Sequence, residues 1–240
     1  QRYLPAQLFN GMIRPVMAAR YSANNSYREA ETVANAALTI NLVLIGLAAT
    51  FFAAGGGDVY LWLSKGKYGA DAAVLVLLMC LVMALESWRH SLENLSHTVE
   101  RYGFLVFSNA FLGLSLLLGI ALAPEYGIAA LPAANCAGLV VANVMVAYWL
   151  RRTGFPYQLD MGHIASCAFA SAVGLAVAWY LNGVMPQWWW RIVLASLAYV
   201  VVLGLVLRPR PEEVRIFSAV LRRRRGEPEP AAPAGGAPTA

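Results

Sequence analysis

Long apolar runs broken by short polar ones set the pattern of this chain. Six windows, 34–54, 70–88, 104–123, 127–150, 162–183 and 188–207, carry very few charges and are bounded by charged or turn residues. A hydrocarbon core of about 30 Å is crossed by roughly 20 helical residues, so each window predicts a membrane-spanning helix. The first twenty residues, QRYLPAQLFNGMIRPVMAAR, are also mostly apolar but hold Arg2, Arg14, Pro5 and Pro15; they read as a seventh, more polar membrane helix. Links as short as PEYG and NGVMPQ force neighbouring helices to run antiparallel. The predicted fold is all-α, an up-and-down integral membrane bundle of about seven transmembrane helices over residues 1–207.

Composition agrees with the pattern. Hydrophobic residues make up 59% of the 240 and charged residues 13%, well away from an ordinary soluble domain. No segment outside the apolar windows is long enough for a globular domain, which argues against an enzyme with a soluble catalytic module. The net charge of +5 is concentrated on one side of the predicted topology. Arg20, Arg28, Arg101, Arg151, Arg152 and the arginines after Leu207 fall in one set of loops, while Lys65, Lys67 and Arg191 fall in the other. The positive-inside rule makes the first set, and the C-terminus, cytoplasmic. The charge is therefore a topology signal and does not call for nucleic acid. The chain opens on Gln1 with no basic stretch and cleavage site, so it reads as a piece of a longer protein without a signal peptide.

The segment AGGGDVYLWLSKGKYGAD lacks the Walker spacing, because Leu61 and Tyr68 stand where Gly and Ser or Thr are required. It reads as an outer loop with an interfacial turn anchored by Tyr60, Trp62 and Tyr68, and Trp188, Trp189 and Trp190 read as an aromatic belt. Cys80, Cys136 and Cys167 form no CxxC pair and read as small core residues. Residues 208–225 have the start, face and stop of a short basic amphipathic helix suited to anionic lipid at the cytoplasmic surface. Residues 226–240, rich in Pro, Ala and Gly, read as a disordered tail.

Candidate chemistry is concentrated at ESWRHSLENLSHTVERYG, residues 86–103. Glu86, His90, Glu93, His97 and Glu100 recur at steps of four, three, four and three. At about 100° per residue they occupy an arc of about 80°, opposite Leu85, Trp88, Leu92, Leu95 and Val99. The pattern predicts one amphipathic helix that extends its membrane span by about three turns. Lipid-facing placement of Glu86 would cost roughly 2.5–3.5 kcal/mol, so it is expected to face protein or water. The stripe fits the wet edge of a cavity between helices or a solvated helix end. A metal centre is not expected, since there is no HExxH, no ExxH and no second His or Cys cluster, and no cofactor is expected either. Arg14, midway along an apolar segment, has three open roles: snorkelling to the interface, pairing with Glu86, or presenting its fork to an anionic ligand. Asn10, Asn41, Asn109, Asn135 and Asn143 are expected mostly to tie helices together.

Residues 107–154, FSNAFLGLSLLLGIALAPEYGIAALPAANCAGLVVANVMVAYWLRRTG, resemble the polysaccharide flippases of the multidrug/oligosaccharidyl-lipid/polysaccharide exporter superfamily. The likeness rests on Asn109 in its helix, on Tyr126, Gly127 and Ile128 in a very short link, and on the Ala-rich run 129–137 leading to a basic loop. Gly66 to Gly69, with Tyr68, is similar to the family's Gly-x-x-Tyr loop displaced by one position. The resemblance, extended by helix spacing over most of residues 5–155, implies the C-terminal lobe of a two-lobe transporter of about fourteen helices. It implies a cargo of polyprenyl-pyrophosphate-linked oligosaccharide, moved across the bacterial inner membrane for surface polysaccharide synthesis. In that setting Arg14 and Arg89 are the candidates to meet the pyrophosphate, with Glu86, His90 and Glu93 as polar lining. Other polysaccharide biosynthesis proteins are the expected partners. Two further functions stay open: a cation-coupled multidrug antiporter of the same superfamily, with Glu86 as the ion ligand, and a non-catalytic membrane assembly partner.

Overall fold

The structure, a computed structural model, describes residues 14–19, 21–22, 26–63, 65 and 71–208. Helices α1 (Tyr27–Phe51), α2 (Gly57–Leu63), α3 (Asp71–Thr98), α4 (Gly103–Tyr126), α5 (Ala130–Arg152), α6 (Met161–Val184) and α7 (Trp188–Val206) follow one another, and a π-helical turn, Phe52–Gly56, joins α1 to α2. Among the described residues there is no strand. Six helical segments are long and apolar enough to cross a bilayer: Tyr27–Val59, Val74–Thr98, Gly103–Tyr126, Ala130–Arg152, Met161–Val184 and Trp188–Val206. They coincide with the six windows, and the protein is an all-α, multi-pass membrane bundle. Of the seventh predicted helix, residues 14–19 are described and are helical; the rest lies outside the described residues, as do Asn10, Tyr68, the basic helix beyond Arg208 and the tail.

Three predicted boundaries are corrected. The glycine-rich segment after residue 53 is not a loop, because α1 passes through the π turn directly into α2, with Ala54, Gly55 and Gly56 buried. PEYG is not the link between spans, since α4 continues through Pro124 to Tyr126. Gly127, at φ +71°, ends that helix in a backbone conformation that costs glycine nothing. The polar stripe does not run as one helix to Glu100. Helix α3 stops at Thr98, where the Arg101 N–H donates to the Ser96 carbonyl (2.8 Å) and the Glu100 N–H to the His97 carbonyl (3.2 Å). Those two bonds form a Schellman close with Glu100 in the left-handed region at φ 57°. Glu100 is thereby turned off the stripe and exposed.

Packing orders the helices as α4 against α5, α5 against α3, α3 against α1, and α1 against both α6 and α7, which also pack on each other. Without water to drive apolar burial, close approach and hydrogen bonds hold such contacts. Helices α1, α6 and α7 meet at a joint made of small residues. A methyl group on Gly46 would collide with the Ser171 hydroxyl and lie 2.7 Å from Tyr199 Oη, and one on Gly174 would lie 2.6 Å from Thr50 Oγ1. Tyr199, fully buried, donates from Oη to the Val43 carbonyl (2.8 Å).

The connector between α5 and α6, residues 153–160, is fastened to the first turns of α1. Tyr27 Oη donates to the Phe155 carbonyl (3.1 Å) and Asn35 Nδ2 to the Gln158 carbonyl (2.9 Å). Tyr157 Oη donates to Asn35 Oδ1 (2.8 Å), and the Gln158 N–H donates to the Glu31 carboxylate. Burial, reinforced by the nearby Glu31 charge and then by Tyr27, pushes the Tyr157 hydroxyl above the ordinary tyrosine range, which keeps it a neutral donor. Asp160 then caps α6 by accepting from the His163 N–H (3.3 Å).

Candidate functional site

Helix α3 carries an apolar face that packs inward: Leu92, Leu95 and Val99 are buried, and Leu92 and Val99 join a cluster with Leu105, Val146 and Leu150. Arg89 projects from the same helix yet is just 3% exposed. A guanidinium does not give up its charge in a protein, so burial here needs partners. Its Nε donates to Glu93 Oε1 at 2.8 Å, one turn along α3. Its Nη2 reaches across to α4 and donates to Ser108 Oγ (2.5 Å) and Asn109 Oδ1 (2.8 Å).

The pairing is incomplete. Arg89 Nη1 is buried and has no hydrogen-bond partner among the described residues, and the same holds for Trp88 Nε1 and Asn143 Oδ1. The Asn143 amide of α5 is seated on this stretch of α3, donating from Nδ2 to the Leu85 carbonyl (3.0 Å). Each unmet buried group of this kind costs about 1–3 kcal/mol.

Exposure rises from the base of the cluster to its rim. Ser108 is fully buried. Glu93 is 29% and His90 34% exposed, and His90 Nδ1 lies 3.4 Å from Glu93 Oε2. Asn109 is exposed. Glu93 therefore uses one oxygen on Arg89 and turns the other toward His90. Glu86, one turn earlier, is half-buried and forms no hydrogen bond or ion pair among the described residues; the charge nearest in effect is that of His90.

Of the residues singled out in the sequence, Arg89, His90 and Glu93 are thus brought together, with Glu86 beside them. Arg14 is not part of the cluster: it is exposed, and no ion pair joins it to Glu86 among the described residues. Its charge bears instead on His97, two turns further along α3, whose ring stacks on Tyr102 at 5.6 Å. Asn109 and Asn143 do bridge helices, as intramembrane amides are expected to. Among the described residues no group of three or more His, Cys, Asp or Glu is placed to hold a metal ion.

Two other polar clusters were not foreseen. At the far end of the bundle Arg191 pairs with Asp58, and its Nη1 donates to Asn182 Oδ1 (2.9 Å), while Asn182 Nδ2 donates to the Ala53 carbonyl of the π turn (3.0 Å). At the start of α6, buried His163 lies 3.2 Å from Asp160 Oδ2 through Nδ1, and its Nε2 is 3.3 Å from the Arg208 carbonyl. An Asp just before a span with His three residues on is a readable cap signal. The partners 45 and 133 residues away leave no local trace.

No family model, curated protein or solved structure matches the chain.

Proposed function

We propose that the protein is one lobe of a membrane transporter that moves a polyprenyl-pyrophosphate-linked oligosaccharide across the bacterial inner membrane for surface polysaccharide synthesis. The observation that carries this reading is Arg89: a permanent positive charge inside a membrane bundle, 3% exposed, with one nitrogen left without a partner among the described residues. Ionisable groups at membrane depth are costly and mark ligand or ion paths, and a guanidinium fork suits phosphate oxygens. The resemblance over residues 107–154 supports the same cargo, and its Asn109 is a direct partner of Arg89. In this reading Arg89 meets the phosphate, Glu86, His90 and Glu93 line the approach, and no covalent step occurs. Arg14 stands exposed as a second cation for an incoming anion. The C-terminus is cytoplasmic, where the basic segment after Leu207 meets anionic lipid and other polysaccharide biosynthesis proteins.

The test is complementation of a strain lacking its polysaccharide flippase by the full-length parent gene. Restored surface glycan with clearance of the lipid-linked intermediate is expected, and an Arg89→Gln variant at equal membrane level should abolish it. Unchanged export by that variant would overturn the role of Arg89. A second reading, cation-coupled drug export, is favoured by Glu86, a half-buried carboxylate with no hydrogen bond or ion pair among the described residues. It predicts drug resistance that Glu86→Gln removes, with surface glycan unaffected.

A further inference from the structure

Arg89 already has an anion bound to it, supplied by its own helix. The Glu93 carboxylate is held at 2.8 Å by Nε, in the manner of a ligand phosphate oxygen. The partners of the guanidinium are of two kinds. Ser108 is fully buried, whereas Glu93 is partly exposed and Asn109 exposed at the surface of the bundle. An anion arriving from that surface meets the two removable acceptors first.

We propose that Glu93 is an internal stand-in for a phosphate- or pyrophosphate-bearing ligand, which displaces it from Arg89 and leaves it to take up a proton. This rests on the transporter reading for its ligand class. Charge accounts for the proton. The charges bearing on Glu93 are those of Arg89 and His90. Helix α4 faces the guanidinium with uncharged Ser108 and Asn109, α1 meets α3 through the Ala34 carbonyl and Ser91, and α5 meets it through Asn143. Once a ligand anion holds Arg89, Glu93 stands as a second negative charge beside it, and protonation of Glu93 removes the repulsion. The ligand then binds more tightly as pH falls, with protons consumed on binding.

The experiment is calorimetric binding to the full chain in nanodiscs, in two buffers of different ionisation enthalpy, with farnesyl pyrophosphate and inorganic pyrophosphate as separate probes. Wild type should take up about one proton per pyrophosphate bound. Glu93→Gln, which keeps the side-chain shape and loses the competing charge, should bind about tenfold more tightly with most of that uptake gone. The double variant Arg89→Gln/Glu93→Gln, neutral at both positions, should bind neither probe. Equal affinity and equal proton uptake in wild type and Glu93→Gln would overturn the exchange while leaving the transporter reading in place. Binding of inorganic pyrophosphate as tight as that of the farnesyl compound would uphold the exchange and remove the lipid cargo. No binding of either probe by wild type or Glu93→Gln would overturn the exchange.

Discussion

The joint of α1, α6 and α7 and the contact of α3 with α4 solve the same problem differently. Both bring polar atoms into the interior of a membrane bundle. At the first, every group is neutral and finds a backbone carbonyl: Thr50 donates to Gly46 (2.9 Å), Ser171 to Cys167 (2.8 Å) and Tyr199 to Val43 (2.8 Å). The Thr50 and Ser171 bonds lie within their own helices, and Gly46 and Gly174 give α1, α6 and α7 the close approach across which Tyr199 reaches Val43. At the second, a full charge is buried, its counter-charge is partly exposed, and Arg89 Nη1 lacks a partner among the described residues. A site built for stability alone would resemble the first. The second leaves a buried donor unmet among the described residues, which is what the proposed ligand path would use.

The contrast predicts an asymmetry between the two members of the ion pair. Glu93→Ala leaves a guanidinium that cannot discharge at 3% exposure, and should destabilise the protein by about 3 kcal/mol. Arg89→Met leaves a partly exposed carboxylate that can accept a proton, and should cost clearly less; denaturation in detergent followed by circular dichroism would compare them. Equal losses would mean that the burial of Arg89 is not what governs the site. At the neutral joint, Gly46→Ala forces a methyl group against Ser171 and Tyr199, an overpacking expected to cost about 2 kcal/mol in the same assay. Little change there would show that the helices separate easily and that the comparison overstates the joint. Smallest is Tyr199→Phe, which removes one hydrogen bond and keeps the ring, for a loss of about 1 kcal/mol.

The spans were legible because apolar length is a property of consecutive residues. Their ends were less so. Helix α1 begins at Tyr27, before the apolar window, because Tyr27, Glu31 and Asn35 are engaged by the connector 153–160. Polar residues there look like a loop until their distant partners are known. After Phe52 the glycines suggested a loop, whereas the chain is helical on both sides and kinks at Gly55, whose φ of 179° and ψ of 7° lie outside the helical region. The stripe on α3 was readable as amphipathicity, but Arg89, just past the apolar window 70–88, was singled out only through the family resemblance, and the span Val74–Thr98 takes it in. Its pairing with Glu93 follows a four-residue helical spacing. Its contacts with Ser108 and Asn109 depend on how α4 docks, which one sequence does not encode locally.

The four-residue spacing of Arg89 and Glu93 also bears on how the protein enters the membrane. Helices insert individually and associate afterwards, so a charge that waits for a partner on another helix crosses the interface alone. Here the counter-charge lies one turn along the same helix, so Arg89 reaches the bilayer already paired before α4 or α5 has docked. Ser108 and Asn109 then join the guanidinium as a late step of assembly, recruiting the N-terminal half of α4 to a pair that α3 carried in by itself.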